Sequence, residues 1–296
     1  MSNNLLLTEK YRPKHLNDVI GNKNIVEMIK NMDDSFPHLL LCGPPGTGKT
    51  TIAKILANNF EKVLELNASD DRGIDVVRNR IKTFTQLNCN SKLVILDECD
   101  NLTAPAQQAL RRIMETKTTK FILICNVVSK VLEPIQSRTA ILRFERIVID
   151  EFTDVLMEVC KKEGINLTES GKDALIYLSG GDFRSSLNIL QAVSKLDIPI
   201  DDNILYEING VPNRKKLLLL MAAIRTKRED KLIEIVEEMF SEKFDPNDIL
   251  SGLFTIAKDS DNYEYLKIIA EFQYKMAEGL SSKLQFYSMF AKMMEI

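Results

Sequence analysis

Short apolar runs recur along the first half of the chain, and turn or cap residues bound each of them. Helical patterns fill the intervals between these runs. Continuous apolar runs of this length are typical of strands that are buried on both faces of a parallel sheet. Their alternation with helices predicts right-handed strand–helix–strand units, and therefore an α/β domain with a five-stranded parallel sheet over residues 1–147. The five predicted strands cover residues 39–42, 63–66, 93–96, 121–125 and 141–144.

Beyond residue 147 the strand signals stop and the pattern becomes helical. Asp150 and Thr168 are candidate N-caps, and Gly164 follows the first helical pattern as a candidate C-cap. We therefore predict a small helical lid domain over residues 148–210. Its three predicted helices cover residues 150–163, 168–179 and 182–196.

A turn-rich stretch with Gly210 and Pro212 marks a second boundary. Only helical patterns follow it, so we predict an all-helical C-terminal domain over residues 211–296. Four methionines lie among its apolar residues and indicate a helix-packing core, with adhesion between subunits as the alternative. They are Met276, Met289, Met293 and Met294.

Composition narrows the class of protein. The chain has 296 residues, 45% of them hydrophobic and 27% charged, which is an ordinary globular composition of two or three domains. It lacks a run of about 20 apolar residues and a secretory signal, so we expect no membrane span. Five scattered cysteines without a CxxC pair argue against a zinc site and favour an intracellular compartment. With a net charge of -3, any nucleic-acid contact must come from a local basic patch.

The segment GPPGTGKT, residues 43–50, has the spacing of a phosphate-binding loop between a strand and a helix. Its glycines let backbone N–H groups point at phosphate oxygens, and the helix N-terminus adds its dipole. Lys49 adds a mobile positive charge, and Thr50 offers a hydroxyl to Mg²⁺. The alternative is a simple glycine-rich turn.

Polar residues close two later strands at the same predicted sheet edge. Asp97 and Glu98 follow the third apolar run, where Asp97 can hold Mg²⁺ through water and Glu98 can polarise an attacking water. Asn126 follows the fourth run. It either caps the next turn or, as we favour, holds the lytic water or the γ-phosphate.

Two arginines need a partner that their own elements do not supply. Arg184 lies in the first turn of a predicted helix, where a cation opposes the helix dipole. A phosphate reached across the domain cleft would compensate, and an ion pair with Asp182 is the alternative. Arg138 lies twelve residues after Asn126 along partly helical chain, which carries it away from its own phosphates. It can meet a neighbouring subunit's phosphate, since guanidinium binds oxyanions bidentately, or it is merely an exposed arginine.

Together these segments resemble AAA+ ATPases, and in particular the small subunits of replication factor C, the sliding-clamp loader. The resemblance covers about residues 6–196 through the segments TEKYRPKHLNDVIGN, LLLCGPPGTGKTT, LELNASDDRGIDVVRNRIKTF, VILDECDNLTAPAQQALRRIME, ICNVVSKVLEPIQSRT and GGDFRSSLNILQA. The last third resembles the family's collar only as a helical bundle in the right position. The resemblance implies ATP and Mg²⁺ as cofactors and a five-membered ring of clamp-loader subunits. It also implies a PCNA-like clamp and primer–template DNA as partners, and a nuclear location if the source is eukaryotic.

The resemblance also assigns roles to residues. It makes Glu98, Lys49, Asn126 and Arg138 catalytic, with Thr50 and Asp97 at the metal. Arg138 matches the arginine finger of the family's Ser-Arg-Cys motif, although Thr139 stands in place of the cysteine. The residues expected around adenine and ribose are Tyr11, Arg12, Pro13, Val19 and Ile20. Those expected around the phosphates are Gly43, Pro44, Pro45, Gly46, Thr47, Gly48, Lys49, Thr50, Thr51, Asn126 and Arg184.

Two predicted helices carry basic side chains that suit phosphate contacts without sequence preference. In the family these helices line the inside of a spiral and follow the duplex. The alternatives are a solvated face or, for Arg111, contact with a neighbouring subunit. A clamp contact is expected near residues 87–91. The candidate DNA residues are Arg78, Arg80, Lys82, Arg111 and Arg112.

Two other functions compete with a hydrolysing clamp-loader subunit. One is a scaffold subunit of the same ring that binds nucleotide without turnover, which the full set of acids and cations argues against. The other is a different AAA+ machine, such as a DNA-branch-migration motor. That machine would need a DNA-pushing insertion and a winged-helix C-terminus, whereas the C-terminal third shows helical patterning only.

Overall fold

The computed structural model describes residues 5–32, 36–70, 75–116, 118–279 and 282–296, without the side chains of Val76 and Arg78. The chain folds as two compact units. The first unit comprises residues 1–165 and 179–194, and the second comprises residues 166–178 and 195–296. The domain boundaries near residues 147 and 210 remain predictions.

The first unit is built on a five-stranded parallel sheet, as predicted, with strand order β2-β3-β4-β1-β5. In the β1–β4 pair, Cys42 lies opposite Cys125, and in the β3–β4 pair, Leu96 lies opposite Leu123. The ends of β1, β3 and β4 therefore meet at one edge of the sheet. The strands are β1 (Leu39–Cys42), β2 (Lys62–Asn67), β3 (Lys92–Asp97), β4 (Thr119–Cys125) and β5 (Ala140–Arg143).

Helices make up most of the remaining structure. A π-helical segment, Val76–Ile81, runs directly into α4, and short 3₁₀ turns follow β3 and β4. In chain order the α-helices are α1 (Leu7–Lys10), α2 (Lys23–Lys30), α3 (Lys49–Ala57), α4 (Lys82–Thr85), α5 (Ala104–Ile113), α6 (Glu133–Gln136), α7 (Ile149–Glu163), α8 (Glu169–Ser179), α9 (Phe183–Val193), α10 (Asp202–Asn209), α11 (Arg214–Arg225), α12 (Glu229–Ser241), α13 (Pro246–Asp259), α14 (Tyr263–Ala277) and α15 (Lys283–Glu295).

Both faces of the sheet are covered at the central strands β1, β3 and β4, which explains their uninterrupted apolar runs. Side chains alternate between the faces of each strand. Leu39 and Leu41 of β1 pack with α2 and α3 on one side, and Leu40 packs with α5 and the π-helical segment on the other. All three leucines are fully buried. A strand with two covered faces cannot show the polar alternation of a half-exposed strand.

A buried glutamine joins α5 to the segment that precedes α6. The side chain of Gln107 is 3% exposed. Its Nε2 donates to the carbonyls of Leu102 and Lys130, and its Oε1 accepts from the N–H of Leu132 at 2.8 Å. These bonds fix the start of α6, the helix that leads to Arg138.

The second unit has a helical core, to which Met289 and Met293 contribute fully buried side chains while Met276 and Met294 pack against it partly buried. The described contacts therefore favour the core interpretation of these methionines. Of the helices in the described ranges, none combines the length and the apolar character needed to span a bilayer.

The helices differ from the sequence prediction in two places, one helix cap and one additional helix. Helix α7 begins at Ile149 with Val148 at its N-cap, so Asp150 lies in the first turn and does not cap the helix. Helix α10 was not predicted, although Asp201 caps its start by accepting from the N–H of Ile204, and Gly210 ends it with φ +65°. Thr168 does act as a cap, since its Oγ1 accepts from the N–H of Gly171 at 3.1 Å.

Candidate active site

A cavity of about 220 Å³ opens in the first unit where strands β1, β3 and β4 end. We call it the strand-edge cavity. The N-terminal segment, the loop after β1, the ends of β3 and β4, and the start of α9 all contribute to it. Its lining residues are Thr8, Tyr11, Arg12, Pro13, Val19, Ile20, Pro45, Gly46, Thr47, Gly48, Lys49, Thr50, Thr51, Asp97, Glu98, Asn126, Ile147, Phe183, Arg184 and Leu187.

The loop between β1 and α3 requires glycine at two positions for different neighbours. Gly43 has φ +147°, and a Cβ there would lie 2.3 Å from the carbonyl oxygen of Phe144. Gly46 has φ +73°, and a Cβ there would lie 2.0 Å from Oδ1 of Asp182. A side chain at either position would collide with its neighbour. The loop is thus held between the chain after β5 and the N-terminus of α9.

Lys49, the first residue of α3, is 6% exposed. Its Nζ donates to the carbonyl oxygens of Gly43 at 2.7 Å and Pro44 at 2.6 Å. Burial lowers the pKa of Lys49, and the nearby Asp97 carboxylate opposes that effect. The ammonium group therefore lies inside its own loop, on the backbone that a phosphate would approach.

Asp97 links the loop to the end of β3. Its Oδ2 accepts from Thr50 Oγ1 at 2.8 Å, and its Oδ1 accepts from the N–H of Glu98 at 2.9 Å. Glu98 adopts a left-handed backbone with φ +53°, which is uncommon for a residue other than glycine and turns the chain sharply after the strand. Asn101 Nδ2 donates to Glu98 Oε2 at 2.9 Å and so orients that carboxylate.

The donor set near Thr50 and Asp97 fits Mg²⁺. Mg²⁺ prefers oxygen ligands, and proteins commonly bind it through one or two carboxylates together with waters and substrate phosphates. No group of three or more His, Cys, Asp or Glu side chains suited to a metal occurs among the described residues. A hydroxyl and a carboxylate that meet at 2.8 Å therefore suit a shared Mg²⁺–phosphate site better than a cage made of protein alone.

Asn126 is placed at the cavity by a residue that the sequence analysis did not single out. Oδ2 of Asp100 accepts from the N–H groups of Asn126 at 3.3 Å and Val127 at 3.2 Å. Asp100 thereby ties the turn after β3 to the end of β4. Little in the sequence indicated this role of Asp100, because an acid in a polar turn is common and its partner Asn126 lies 26 residues further along the chain.

Arg184 reaches the cavity from the first turn of α9. The carboxylate of Asp182 caps that helix by accepting from the N–H groups of Arg184 at 2.9 Å and Ser185 at 3.2 Å. The charge of Arg184 contributes to lowering the pKa of Lys49, which agrees with its position beside the phosphate loop.

The cavity includes four residues that the sequence analysis did not name. Ile147 follows β5, Phe183 and Leu187 are four apart on α9, and Thr8 lies on α1. In the sequence alone, the three apolar residues of this set cannot be distinguished from residues of the hydrophobic core. Of the expected phosphate residues, Gly43 and Pro44 are absent from the lining, and their carbonyls hold Lys49 instead.

Arg138 lies outside the residues that line the strand-edge cavity. Its Nη1 donates to the carbonyl of Pro134 at 2.9 Å, and its Nη2 lies 3.2 Å from Oε1 of Glu115. The Arg138 side chain is 32% exposed. Thr139 uses its hydroxyl locally, on the carbonyls of Ile135 and Gln136.

Three of the candidate DNA residues share a groove between α4 and α5, which we call the basic groove. Lys82, Arg111 and Arg112 line it together with uncharged polar side chains such as Gln86 and Gln108. Arg111 Nε is buried without a hydrogen-bond partner among the described residues. Arg80 is not among the residues that line the groove, and the side chain of Arg78 is outside the described part of the chain.

Two models of known protein families match separate parts of the chain. The model of the ATPase family associated with various cellular activities (AAA) matches residues 39–149. The model of the replication factor C C-terminal domain matches residues 212–292. The phosphate loop, the strand-end acids and the parallel sheet all fall within the first match, so the fold and the site define an AAA ATPase.

Relatives match over nearly the whole chain. Replication factor C subunit 4 of Encephalitozoon cuniculi is 45% identical over 96% of both chains. The replication factor C small subunit of Archaeoglobus fulgidus is 37% identical, again over 96% of both. This chain belongs to the replication factor C family, and it is a clamp-loader ATPase subunit.

Among solved structures, the Thermotoga maritima RuvB Holliday junction branch migration motor is similar, with a TM-score of 0.57. Its sequence identity is 19%, and the match covers 74% of this chain and 80% of that chain. At this identity the likeness concerns the AAA fold alone, so it does not favour the branch-migration alternative.

Proposed function

We propose that the strand-edge cavity binds ATP with Mg²⁺, and that the chain hydrolyses this ATP inside a five-membered clamp loader. The loader places a PCNA-like sliding clamp on primer–template DNA during replication and repair, in the nucleus if the source is eukaryotic. The observation that carries the proposal is the convergence of Lys49, Thr50, Asp97, Glu98 and Asn126 on one cavity in a replication factor C chain.

The phosphates belong at the loop end of the cavity. Backbone N–H groups at the start of α3 and the Lys49 ammonium supply positive charge there. Thr50 and Asp97 would hold Mg²⁺, which neutralises charge on the phosphates when it is bound. Glu98, oriented by Asn101, accepts the proton of the attacking water, and Asn126 holds that water or the γ-phosphate.

Arg138 acts on the ATP of a neighbouring subunit. Two observations support this role: the guanidinium is not part of the chain's own cavity, and it remains partly exposed beside Glu115. A phosphate offers a guanidinium a bidentate, doubly charged partner, so it can replace a single exposed carboxylate at 3.2 Å. An arginine supplied in this way contributes about 10³–10⁵ in rate in related systems.

The lid and the basic groove complete the proposal. Arg184 places a second cation at the phosphates from α9, so nucleotide binding draws that helix towards the loop. Lys82, Arg111 and Arg112 follow the DNA backbone, since phosphate contacts need positive charge and no base-specific geometry.

The test is Glu98→Gln in this chain within the complex that co-purifies with it. We expect ATP binding to persist and the DNA-stimulated hydrolysis contributed by this chain to disappear, because the amide cannot accept the proton. Glu65→Gln is a matched control on the edge strand β2, where the exposed side chain of Glu65 pairs with Lys54 at 3.1 Å. Unchanged turnover in Glu98→Gln would instead support the scaffold function, and a complex without five AAA subunits would contradict the ring.

A further inference from the structure

Glu163 lies at the C-terminal end of a helix, where a negative charge is unfavourable. It is the last residue of α7, and Gly164 ends the helix with φ +70°. The C-terminal end of a helix carries partial negative charge, so an acid there needs a positive partner. Glu163 finds it in the N-terminal segment, where Lys10 Nζ lies 2.6 Å from its Oε1 and the Tyr11 hydroxyl donates to the same oxygen.

In this three-residue contact, Lys10–Tyr11–Glu163, the carboxylate is largely shielded, whereas the Lys10 side chain is 45% exposed. The Glu163 side chain is 17% exposed, and Lys10 Nζ also lies 5.7 Å from the centre of the Tyr11 ring. The hydrogen bond from Lys10, followed by that from Tyr11, lowers the pKa of Glu163. Burial and the bond to Glu163 raise the pKa of Tyr11 to about 12. At neutral pH the carboxylate is therefore charged and the phenol is protonated, as the bond requires.

Tyr11 is the member of this contact that lines the strand-edge cavity. Lys49 belongs to the phosphate loop, and the cavity lining that includes Tyr11 also includes the apolar side chains of Val19, Ile20 and Leu187. Apolar and aromatic side chains suit the faces of a flat heterocyclic base. A second contact holds the same segment, since the N–H of Leu7 donates to Gln191 Oε1 of α9 at 2.7 Å.

We propose that Glu163 is a positioning residue for the nucleobase: it holds the Tyr11 ring in the cavity lining without touching the nucleotide. The inference rests on the proposed binding of ATP and deepens it, because it assigns base-dependent affinity to a residue outside the cavity lining. Loss of the contact frees Tyr11 and leaves the phosphate loop unchanged.

The experiment is equilibrium titration of the full chain with ATP and, separately, with inorganic tripolyphosphate, which has no base. Glu163→Ala and Tyr11→Phe should each weaken ATP binding about tenfold, or about 1.4 kcal/mol, and change tripolyphosphate binding by less than about twofold. The double variant should lose no more than either single variant, because both remove one interaction. Glu163→Gln keeps an acceptor oxygen for Tyr11 and should retain most of the ATP affinity.

Glu151→Ala is the matched control, because Glu151 lies on the same helix and pairs with Lys23 of the first unit at 2.5 Å. It should leave both affinities unchanged. Equal losses for ATP and tripolyphosphate, or no loss in Tyr11→Phe, would overturn the role of Glu163. If Glu163→Ala does not fold, Tyr11→Phe and Glu163→Gln decide the question. A wild-type chain that binds neither probe would refute the proposed ATP site itself, which is a different result from an intact ATP preference in Glu163→Ala.

Discussion

Gly46→Ala should uncouple the phosphate loop from α9. The new Cβ would lie 2.0 Å from Oδ1 and 2.6 Å from Cγ of Asp182, and the next atom is the backbone nitrogen of Phe183 at 3.1 Å. Asp182 can relieve the collision only by turning its carboxylate away. That movement breaks the bonds to the N–H groups of Arg184 and Ser185 that cap the helix.

The expected cost has two parts. A left-handed backbone at φ +73° costs a non-glycine residue about 1–2 kcal/mol, and loss of an N-cap costs about 1 kcal/mol. Gly46→Ala should therefore destabilise the first unit by about 2–3 kcal/mol. Gly181→Ala is the matched control, because Gly181 has φ +81° but no atom within 4 Å of its Cβ. It should cost only the backbone strain.

Denaturant unfolding and amide hydrogen exchange can separate these parts. The N–H groups of Arg184 and Ser185 should lose protection in Gly46→Ala and keep it in Gly181→Ala, since only the first change displaces Asp182. In an Asp182→Ala background the collision is gone, so Gly46→Ala should cost there about as little as Gly181→Ala does alone. Equal destabilisation by the two glycine changes, or a full cost in the Asp182→Ala background, would refute this reasoning.

Three further predictions concern the arginine finger, pH and DNA. Arg138→Ala should lower ATP turnover about 10³-fold or more at the neighbouring site that Arg138 completes, whereas Glu115→Gln, which removes the carboxylate partner of Arg138 but not its bond to the Pro134 carbonyl, should lower it far less; equal losses in a single-turnover assay of that site would contradict a role in trans. Burial lowers the pKa of His38, whose Nδ1 accepts from the N–H of Phe121. The unfolded chain therefore binds more protons than the folded one below the ordinary pKa of 6.5. Stability should fall as the pH drops below that value, and urea titrations should show a smaller fall in His38→Phe. Arg112→Gln should make the slope of log affinity for DNA against log salt shallower by about 1, measured by fluorescence anisotropy, and an unchanged slope would remove Arg112 from the interface.

The strands and most of the helices could be predicted because each rests on a repeated local signal. Apolar runs gave all five strands, although Glu65 and Arg143 interrupt the runs of β2 and β5, and the spacing of Gly43, Gly48 and Lys49 gave the phosphate loop. Helix α10 was missed because its short apolar pattern runs into the turn at Gly210, which the sequence analysis took as part of a boundary. Such errors concern local features whose signals overlap.

Contacts between distant segments could not be predicted in the same way. Asp100 positions Asn126, and Glu163 binds Tyr11 over 152 residues of chain. A single acid in a polar stretch carries no sign of its partner, because the pairing depends on the packed sheet and helices rather than on spacing. The sequence could name the chemically reactive side chains but not the residues that hold them in place.

The carboxylate of Asp182 shows what this dependence means for the site. It caps α9 and at the same time leaves no room for a side chain at Gly46 of the phosphate loop. Because one carboxylate caps the helix and packs against the loop, the loop and the first turn of α9 cannot move closer together without displacing that carboxylate. Arg184 follows Asp182 by two residues and Lys49 follows Gly46 by three, so a shift at this contact moves both cations together. In the proposed ATP complex, the phosphates would therefore be coupled to α9 through the contacts of one carboxylate, as well as through the charges that face the cavity.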